Sequence, residues 1–220
     1  MKVEIWSDIM CPFCYIGKRN YEAAIKQFDN SANIDLEWKS FQLDPNIPKK
    51  FEEKVNVFEY LAQRKGISLE QSKQMHENVL RMASEAGLQY EFDKAIVSNS
   101  FDAHRIIQLA KTKGLDNEAE ECFFKAYFTD GKDLADHKTL LDLGIKIGLT
   151  APEINHALAD DEYAYRVNAD VQEANNIGVT GVPFFVFDRK YAVSGAQPPA
   201  VFLQTLQKSY SESSNTNVPQ

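Results

Sequence analysis

The 220-residue chain predicts an α/β fold: one small mixed sheet with helices on both faces, interrupted by a large all-helical insertion. Two observations carry this prediction. Strand-like alternation of apolar residues is confined to the two ends of the chain, whereas residues from about 55 to 177 repeat their apolar side chains every three or four positions. In addition, a Cys-x-x-Cys pair, Cys11-Pro12-Phe13-Cys14, stands where the first strand pattern gives way to the first helical one.

Val3 to Trp6 reads as the core of a first strand over residues 2–6, and Pro12 to about Phe28 as a helix with Tyr21, Ala24, Ile25 and Phe28 on one stripe. Ile34 to Leu43 reads as a second strand, with Ile34, Leu36 and Trp38 alternating until Asp44-Pro45 ends it. The helical block follows. Ser68 and Gln71 form a capping-box pattern ahead of a helix whose stripe is Met75, Val79, Met82 and Ala86, stopped at Gly87. Ser100 is placed to cap a helix carrying Ala103, Ile106, Ile107 and Ala110, and a helix around Cys122 comes next. Asp136 and Thr150 are placed to cap two more, and a last long helix carries Tyr163, Val167, Val171 and Ala174. Strand pattern returns at Val182-Pro183-Phe184-Phe185-Val186-Phe187, turns at Asp188-Arg189, and continues over Lys190 to Ser194. Pro198 or Pro199 opens a final helix with Phe202, Leu203 and Leu206, and Ser211 to Gln220 reads as a frayed polar tail. The two flanks, 1–50 and 161–210, are expected to make one discontinuous domain, with 51–160 as a helical insertion domain and 211–220 as a flexible tail.

Composition narrows the function classes. With 24 basic and 32 acidic residues the net charge is -8, which speaks against nucleic acid, since phosphate binding needs a basic surface. No stretch reaches the apolar length of a membrane span, and Glu4 and Asp8 interrupt any signal-peptide pattern, so the expected location is the cytoplasm. Three cysteines are too few for a disulfide framework.

The Cys-x-x-Cys pair is where chemistry is expected. Cys11 falls near the N-cap of the following helix, and Pro12 suits a first turn that needs no N–H. There the Cys11 sulfur meets unpaired backbone N–H groups and the positive end of the helix dipole, which favour a thiolate. Cys14, three residues on, is close enough to close a disulfide with it. Zinc would require two more ligands, yet Cys122, His76, His104, His137 and His156 are widely separated, so no metal is expected. A purely structural cross-link over so short a loop would stabilise little. Cys122 lies at helical core spacing with Ala119, Phe123 and Ala126 and reads as a small buried apolar residue.

This order of elements resembles the thioredoxin fold with a helical insertion, and more narrowly the DsbA-like superfamily and its FrnE-like cytoplasmic branch. The residues that carry the resemblance are Ser7-Asp8-x-x-Cys11-Pro12-Phe13-Cys14-Tyr15-x-Gly17, Asn99-Ser100-x-x-Ala103-His104-Arg105, and Gly178-Val179-x-Gly181-Val182-Pro183-x-Phe185; by the order of elements the resemblance extends over about residues 1–208. The resemblance implies that Pro183 follows a cis peptide bond opposite the cysteines. The Val182 backbone would then be free to pair with an extended substrate in β fashion. Periplasmic DsbA-like oxidants carry Pro-His between the cysteines; Phe13 here removes that donor and cation, which points away from a strongly oxidising pair. Related glutathione-dependent isomerases and kappa-class transferases carry Ser at the Cys11 position, so two cysteines favour redox chemistry.

The expected function is thus that of a protein disulfide oxidoreductase or isomerase, with Cys11 and Cys14 reacting and Pro12, Phe13, Val182, Pro183 and His104 binding substrate. Its partners would be protein or small-molecule thiols and disulfides, with no nucleic acid and no membrane, and the chain would act as a monomer or homodimer. No cofactor is required beyond the redox-active Cys11–Cys14 disulfide, with glutathione as a candidate co-substrate. Asp8 reads either as a proton relay to Cys14 or as a loop cap. His104 reads either as a cleft residue for proton transfer or as a satisfied structural side chain, and Trp6 and Tyr15 either as an apolar rim or as core. A glutathione-linked isomerase or transferase acting on a small molecule, and a non-catalytic holdase with an apolar groove, are the competing classes.

Overall fold

The computed structural model describes residues 1–215. Strand β1, Lys2–Ser7, lies at the centre of a four-stranded sheet. It runs parallel to β2, Asp35–Ser40, with Ile5 opposite Trp38, and antiparallel to β3, Phe184–Phe187, with Ile5 opposite Phe185. Strand β4, Tyr191–Ser194, pairs with β3 and forms the far edge. Parallel neighbours need a crossover, and helix α1, Pro12–Ile25, supplies it. Helix α1 ends three residues short of Phe28, whose backbone enters a turn, although the Phe28 ring still packs with the stripe.

Side chains alternate across β1, so Val3 and Ile5 share one face and Glu4 and Trp6 the other. Val3, Ile5, Phe185 and Phe187 meet Tyr21 and Ala24 of α1 and Phe202 and Leu206 of helix α9, Pro199–Asn215. On the opposite face Trp6 and Val186 meet Ala174 of helix α8, Asp161–Asn176, and the Trp6 indole donates to the Asp170 carbonyl at 3.0 Å. The carboxyl-terminal segment departs from the sequence reading. Ser211 to Asn215, expected as tail, continue α9, and the Tyr191 hydroxyl bonds Glu212 at 2.6 Å while Ser213 bonds Asp188. The rest of the expected tail, 216–220, lies outside the described residues.

Between the two halves of the sheet come α2 (Val57–Lys65), α3 (Leu69–Glu85), α4 (Phe101–Lys111), α5 (Asp116–Phe128), α6 (His137–Lys146) and α7 (Ala151–Ala159). Helix α4 is buried along most of its length and packs against α5, α7 and α8. Capping boxes close Ser68 with Gln71 and Thr150 with Glu153, and Asp136 accepts the Thr139 N–H at 3.0 Å, all as their spacing predicts.

Three local expectations are corrected. Ser100 is first in line before α4 but makes no side-chain cap; its backbone is already helical, and Asn99 Oδ1 accepts the Phe101 N–H at 2.9 Å instead. Helix α3 turns Ser72, His76 and Ala83 inward, leaving Met75 and Met82 exposed, because Ser72 reaches the Phe58 carbonyl at 2.7 Å and the His76 ring wedges between Phe58 and Phe92. Residues 86–100 are not helical. Gly87 turns the chain at φ +76°, and Leu88, Tyr90 and Phe92 then point inward at every second residue, a strand-like period rather than a helical one. Backbone bonds from Glu91 to the Phe128 carbonyl and from Val97 to the Val55 carbonyl fasten this buried connection.

Candidate active site

The sharp exit from β1 sets the geometry of the cysteine pair. Asp8 accepts the Met10 N–H at 3.1 Å and the Leu43 N–H at 2.7 Å through its two carboxylate oxygens, and its carbonyl accepts the Cys11 N–H at 2.9 Å. The loop-capping role of Asp8 is therefore the one its contacts show. Cys11 is the N-cap of α1, with extended backbone and no side-chain cap bond, and Pro12 follows inside the first turn. Cys11 is 2% exposed, and its sulfur lies 3.4 Å from the Val182 carbonyl oxygen. The Val182–Pro183 peptide bond is cis. Gly17 makes the close packing possible, because a Cβ there would lie 2.9 Å from Pro183 Cγ and 3.4 Å from the Phe185 ring.

Cys14 sits one turn deeper, 1% exposed, with its amide bonded to the Cys11 carbonyl at 3.0 Å. Burial, then the neighbouring Cys11, push its thiol well above the usual cysteine range. The Ser7 hydroxyl and the Asp8 backbone N–H face the Cys14 sulfur and work in the opposite sense. Ser7 also donates to Glu120 Oε2 of α5 at 3.4 Å. Glu120 is 1% exposed, and burial pushes its carboxyl up to about 8, although Lys18 and Ser7 favour the charged form. Its neighbour Glu121 also feels burial, but Arg19, Tyr15 and Lys18 outweigh it and hold that carboxyl at about 2. Two adjacent acids thus stand in opposite protonation regimes.

The other residues singled out by sequence separate into rim and core. Phe13 is 38% exposed and Pro12 partly so, leaving both at the mouth of the site, while Val182 is half-buried and Pro183 buried behind it. Trp6 and Tyr15 are core: Tyr15 stacks on Phe124 at 4.9 Å and its hydroxyl donates to Glu121 at 2.5 Å. His104 is fully buried and presents nothing to a substrate; its Nε2 stands 3.6 Å from Asp8 Oδ1, and neither ring nitrogen has a hydrogen-bond partner among the described residues. Cys122 is half-buried on α5 beside Lys125 and Lys146. Among the described residues no group of three or more His, Cys, Asp or Glu side chains is placed to hold a metal, and no helix is long and apolar enough to cross a membrane.

Two site residues escaped the sequence reading. Tyr90, in the connection between Gly87 and Ser100, donates its hydroxyl to the Pro12 carbonyl at 2.7 Å and so pins the segment between the cysteines. Glu120 lies on the apolar face of α5 with Phe124 and Tyr127 at four- and seven-residue spacing. An acid on such a stripe was the available signal.

The comparisons with known proteins agree with this geometry. The model of the DSBA-like thioredoxin domain matches residues 2–207. A solved structure of a probable DsbA oxidoreductase from Streptomyces coelicolor is 38% identical, covers 100% of this chain and 92% of its own, and superposes with a TM-score of 0.91. The cytosolic disulfide reductase DsbM from Pseudomonas aeruginosa, also solved with GSH, shares the fold with a TM-score of 0.67 at 16% identity, over 96% of this chain and 98% of its own. The uncharacterized protein YwbO of Bacillus subtilis is 26% identical over 188 residues, 84% of this chain and 85% of that protein. A mixed sheet with a helical block between its halves, a Cys-x-x-Cys pair at the first helix and a full-length family match make this chain a member of the DSBA-like thioredoxin domain family of oxidoreductases.

Proposed function

We propose that the chain exchanges protein disulfides through Cys11 and Cys14 in the cytoplasm, with reduction or isomerisation as its working direction. One observation carries the reading: Cys11 stands at the N-cap position of a helix with its sulfur 3.4 Å from the Val182 carbonyl oxygen, and the second thiol is buried one turn further on. Cys11, at the helix N-cap beside exposed Phe13, is the attacking sulfur. It attacks a substrate disulfide, a mixed disulfide forms, and Cys14 then attacks Cys11 and releases the reduced substrate. The half-buried backbone at Val182 offers an edge to an extended peptide, and exposed Phe13 offers apolar contact beside it. Phe13 in place of a cationic histidine supports the reducing direction, and glutathione is a fitting thiol to restore the dithiol form.

Insulin reduction with and without glutathione tests this reading. Cys11→Ser should abolish turnover, and Cys14→Ser should accumulate mixed disulfides that a reductant releases. Full turnover by the Cys11→Ser, Cys14→Ser double variant would sink the proposal. Activity confined to glutathione adducts of small molecules would move the chain to the isomerase or transferase class.

A further inference from the structure

We propose that Tyr90 is a positioning residue for disulfide exchange: its hydroxyl, brought in by the helical block, holds the backbone between the two cysteines in the form from which Cys14 closes on Cys11. The inference rests on the exchange cycle above and deepens it.

Closure is an intramolecular reaction, so its rate depends on how much freedom the loop between the sulfurs must give up. That freedom lies in the two soft dihedrals of each residue. The Cys11 N–H is tied to the Asp8 carbonyl at 2.9 Å, and the Cys11 carbonyl takes the Cys14 N–H at 3.0 Å. At Pro12 the ring locks φ, but ψ is set by where the Pro12 carbonyl points. The Tyr90 hydroxyl donates to that carbonyl at 2.7 Å from 78 residues along the chain. A carbonyl oxygen has two lone pairs, so Pro12 accepts this bond without leaving the helix. Ring and hydroxyl thus divide the dihedrals of one residue between them. Among the described residues no other side chain bonds a backbone group of Cys11, Pro12, Phe13 or Cys14.

Tyr90 is itself held from the block. The Glu91 N–H donates to the Phe128 carbonyl at 2.7 Å, and Thr129 Oγ1 donates to the Gln89 carbonyl at 2.7 Å, so both chain neighbours of Tyr90 are fastened to the end of α5. Its ring stacks on Phe128 at 4.6 Å and on Tyr15 at 6.1 Å, with Phe92 edge-on at 5.5 Å. Burial, then the nearby Cys11, push the Tyr90 hydroxyl well above the usual tyrosine range, so it stays a donor. The Tyr15 hydroxyl, in the same stack, is engaged by Glu121 and Arg19 instead.

Reaction of the reduced protein with dithiobis(nitrobenzoate) separates the steps. In capture, Cys11 Sγ attacks one sulfur of the probe, a mixed disulfide forms and the first thionitrobenzoate leaves as a thiolate. In closure, Cys14 Sγ attacks Cys11 Sγ, the Cys11–Cys14 bond forms, and the bond from Cys11 to the second thionitrobenzoate breaks with its electron pair. Both cysteine protons pass to buffer; two protein thiols are oxidised and the probe disulfide is reduced. Each leaving thiolate is coloured, so each step has its own amplitude and rate.

Tyr90→Phe keeps the ring and removes the hydrogen bond. Capture should stay within about twofold of the parent, while closure should slow about tenfold, the worth of one neutral hydrogen bond. The equilibrium constant for forming the Cys11–Cys14 disulfide against glutathione should also fall about tenfold, a potential about 30 mV less negative. Tyr15→Phe, the matching deletion on the stacked ring, should leave capture, closure and that equilibrium at parent values. Thr129→Val loosens the Tyr90 segment but keeps the hydroxyl, and should slow closure about two- to threefold. Parent closure and equilibrium in Tyr90→Phe would overturn the assignment; where that variant does not fold, parent closure in Thr129→Val would do so. Equal slowing in Tyr15→Phe would overturn it too, since ring packing and not the Tyr90 hydroxyl would then set the rate. Absence of capture by the parent protein would instead refute the exchange reading itself.

Discussion

Glu120 carries a stability cost whose sign follows from its environment. Its folded carboxyl holds a proton up to about 8, whereas in the unfolded chain it releases it near the ordinary value of 4.5. Between those values the folded state binds more protons than the unfolded state, so stability falls as pH rises through that window. Glu120→Gln removes this dependence. The variant should gain on the parent progressively from about pH 5 to pH 9, reaching on the order of 2–4 kcal/mol, as read from urea midpoints at each pH. A constant difference across that range would show that the carboxyl is not held protonated. Gly17 carries the converse constraint. Gly17→Ala puts a methyl group 2.9 Å from Pro183 Cγ, and should cost about 1–3 kcal/mol in urea unfolding while slowing insulin reduction, because Pro183 must move relative to Cys11. Cys11 and Cys14 were legible in the sequence because spacing and a strand-to-helix junction mark them. Glu120 and Tyr90 were not, because their meaning comes from long-range packing: Glu120 bonds Ser7, and Tyr90 bonds Pro12, across more than a third of the chain.

Local signals determined most elements and failed where a tertiary contact competed with them. Capping boxes at Ser68 and Thr150 form as their residue spacing requires, since both partners lie within one turn. At α4 the choice between Asn99 and Ser100 rests on a distant group: the Asn99 amide also bonds the Ile47 carbonyl, which draws Asn99 into the capping position. Asn99→Ala should therefore cost about 1–2 kcal/mol, and Ser100→Ala less than about 0.5 kcal/mol, in thermal or urea unfolding. Equal losses would refute this division of labour. Helix α3 taught the same lesson about faces. Its Met75 and Met82 stripe is apolar, yet Ser72 and His76 are turned inward by partners on α2 and the following connection.

Two apolar cores share one helix. The carboxyl-terminal half of α1 packs Tyr21 and Ala24 against the sheet and α9, whereas Cys11, Cys14, Tyr15 and Ile16 belong to the core of the helical block with Phe123, Phe124 and Tyr127. The fold class could be read from the periodicities because the strand pattern is confined to the chain ends. That the helical block lies beside the cysteine motif could be expected from its insertion between the two flanks, but the side chains that make the contact could not, because periodicity does not say which residues of two distant elements meet. Sharing α1 should bind the cores into one cooperative unit. Tryptophan fluorescence, reporting Trp6 and Trp38 in the sheet, and far-ultraviolet circular dichroism, dominated by the helices, should therefore give coincident urea transitions; separated midpoints would show independent units.

The order of the strands also sets a timetable for synthesis. Strand β1 obtains its parallel partner by residue 40, but its antiparallel partner starts only at residue 184. Until the ribosome has made the whole helical block, Cys11 lacks the Val182 carbonyl that faces it in the finished protein. The helical block can begin to cover the thiols of a nascent chain, but Cys11 gains its last cover only when the segment leading into β3 emerges. Maleimide labelling of Cys11 in stalled nascent chains should reach its low final level only once residue 194 has cleared the ribosome.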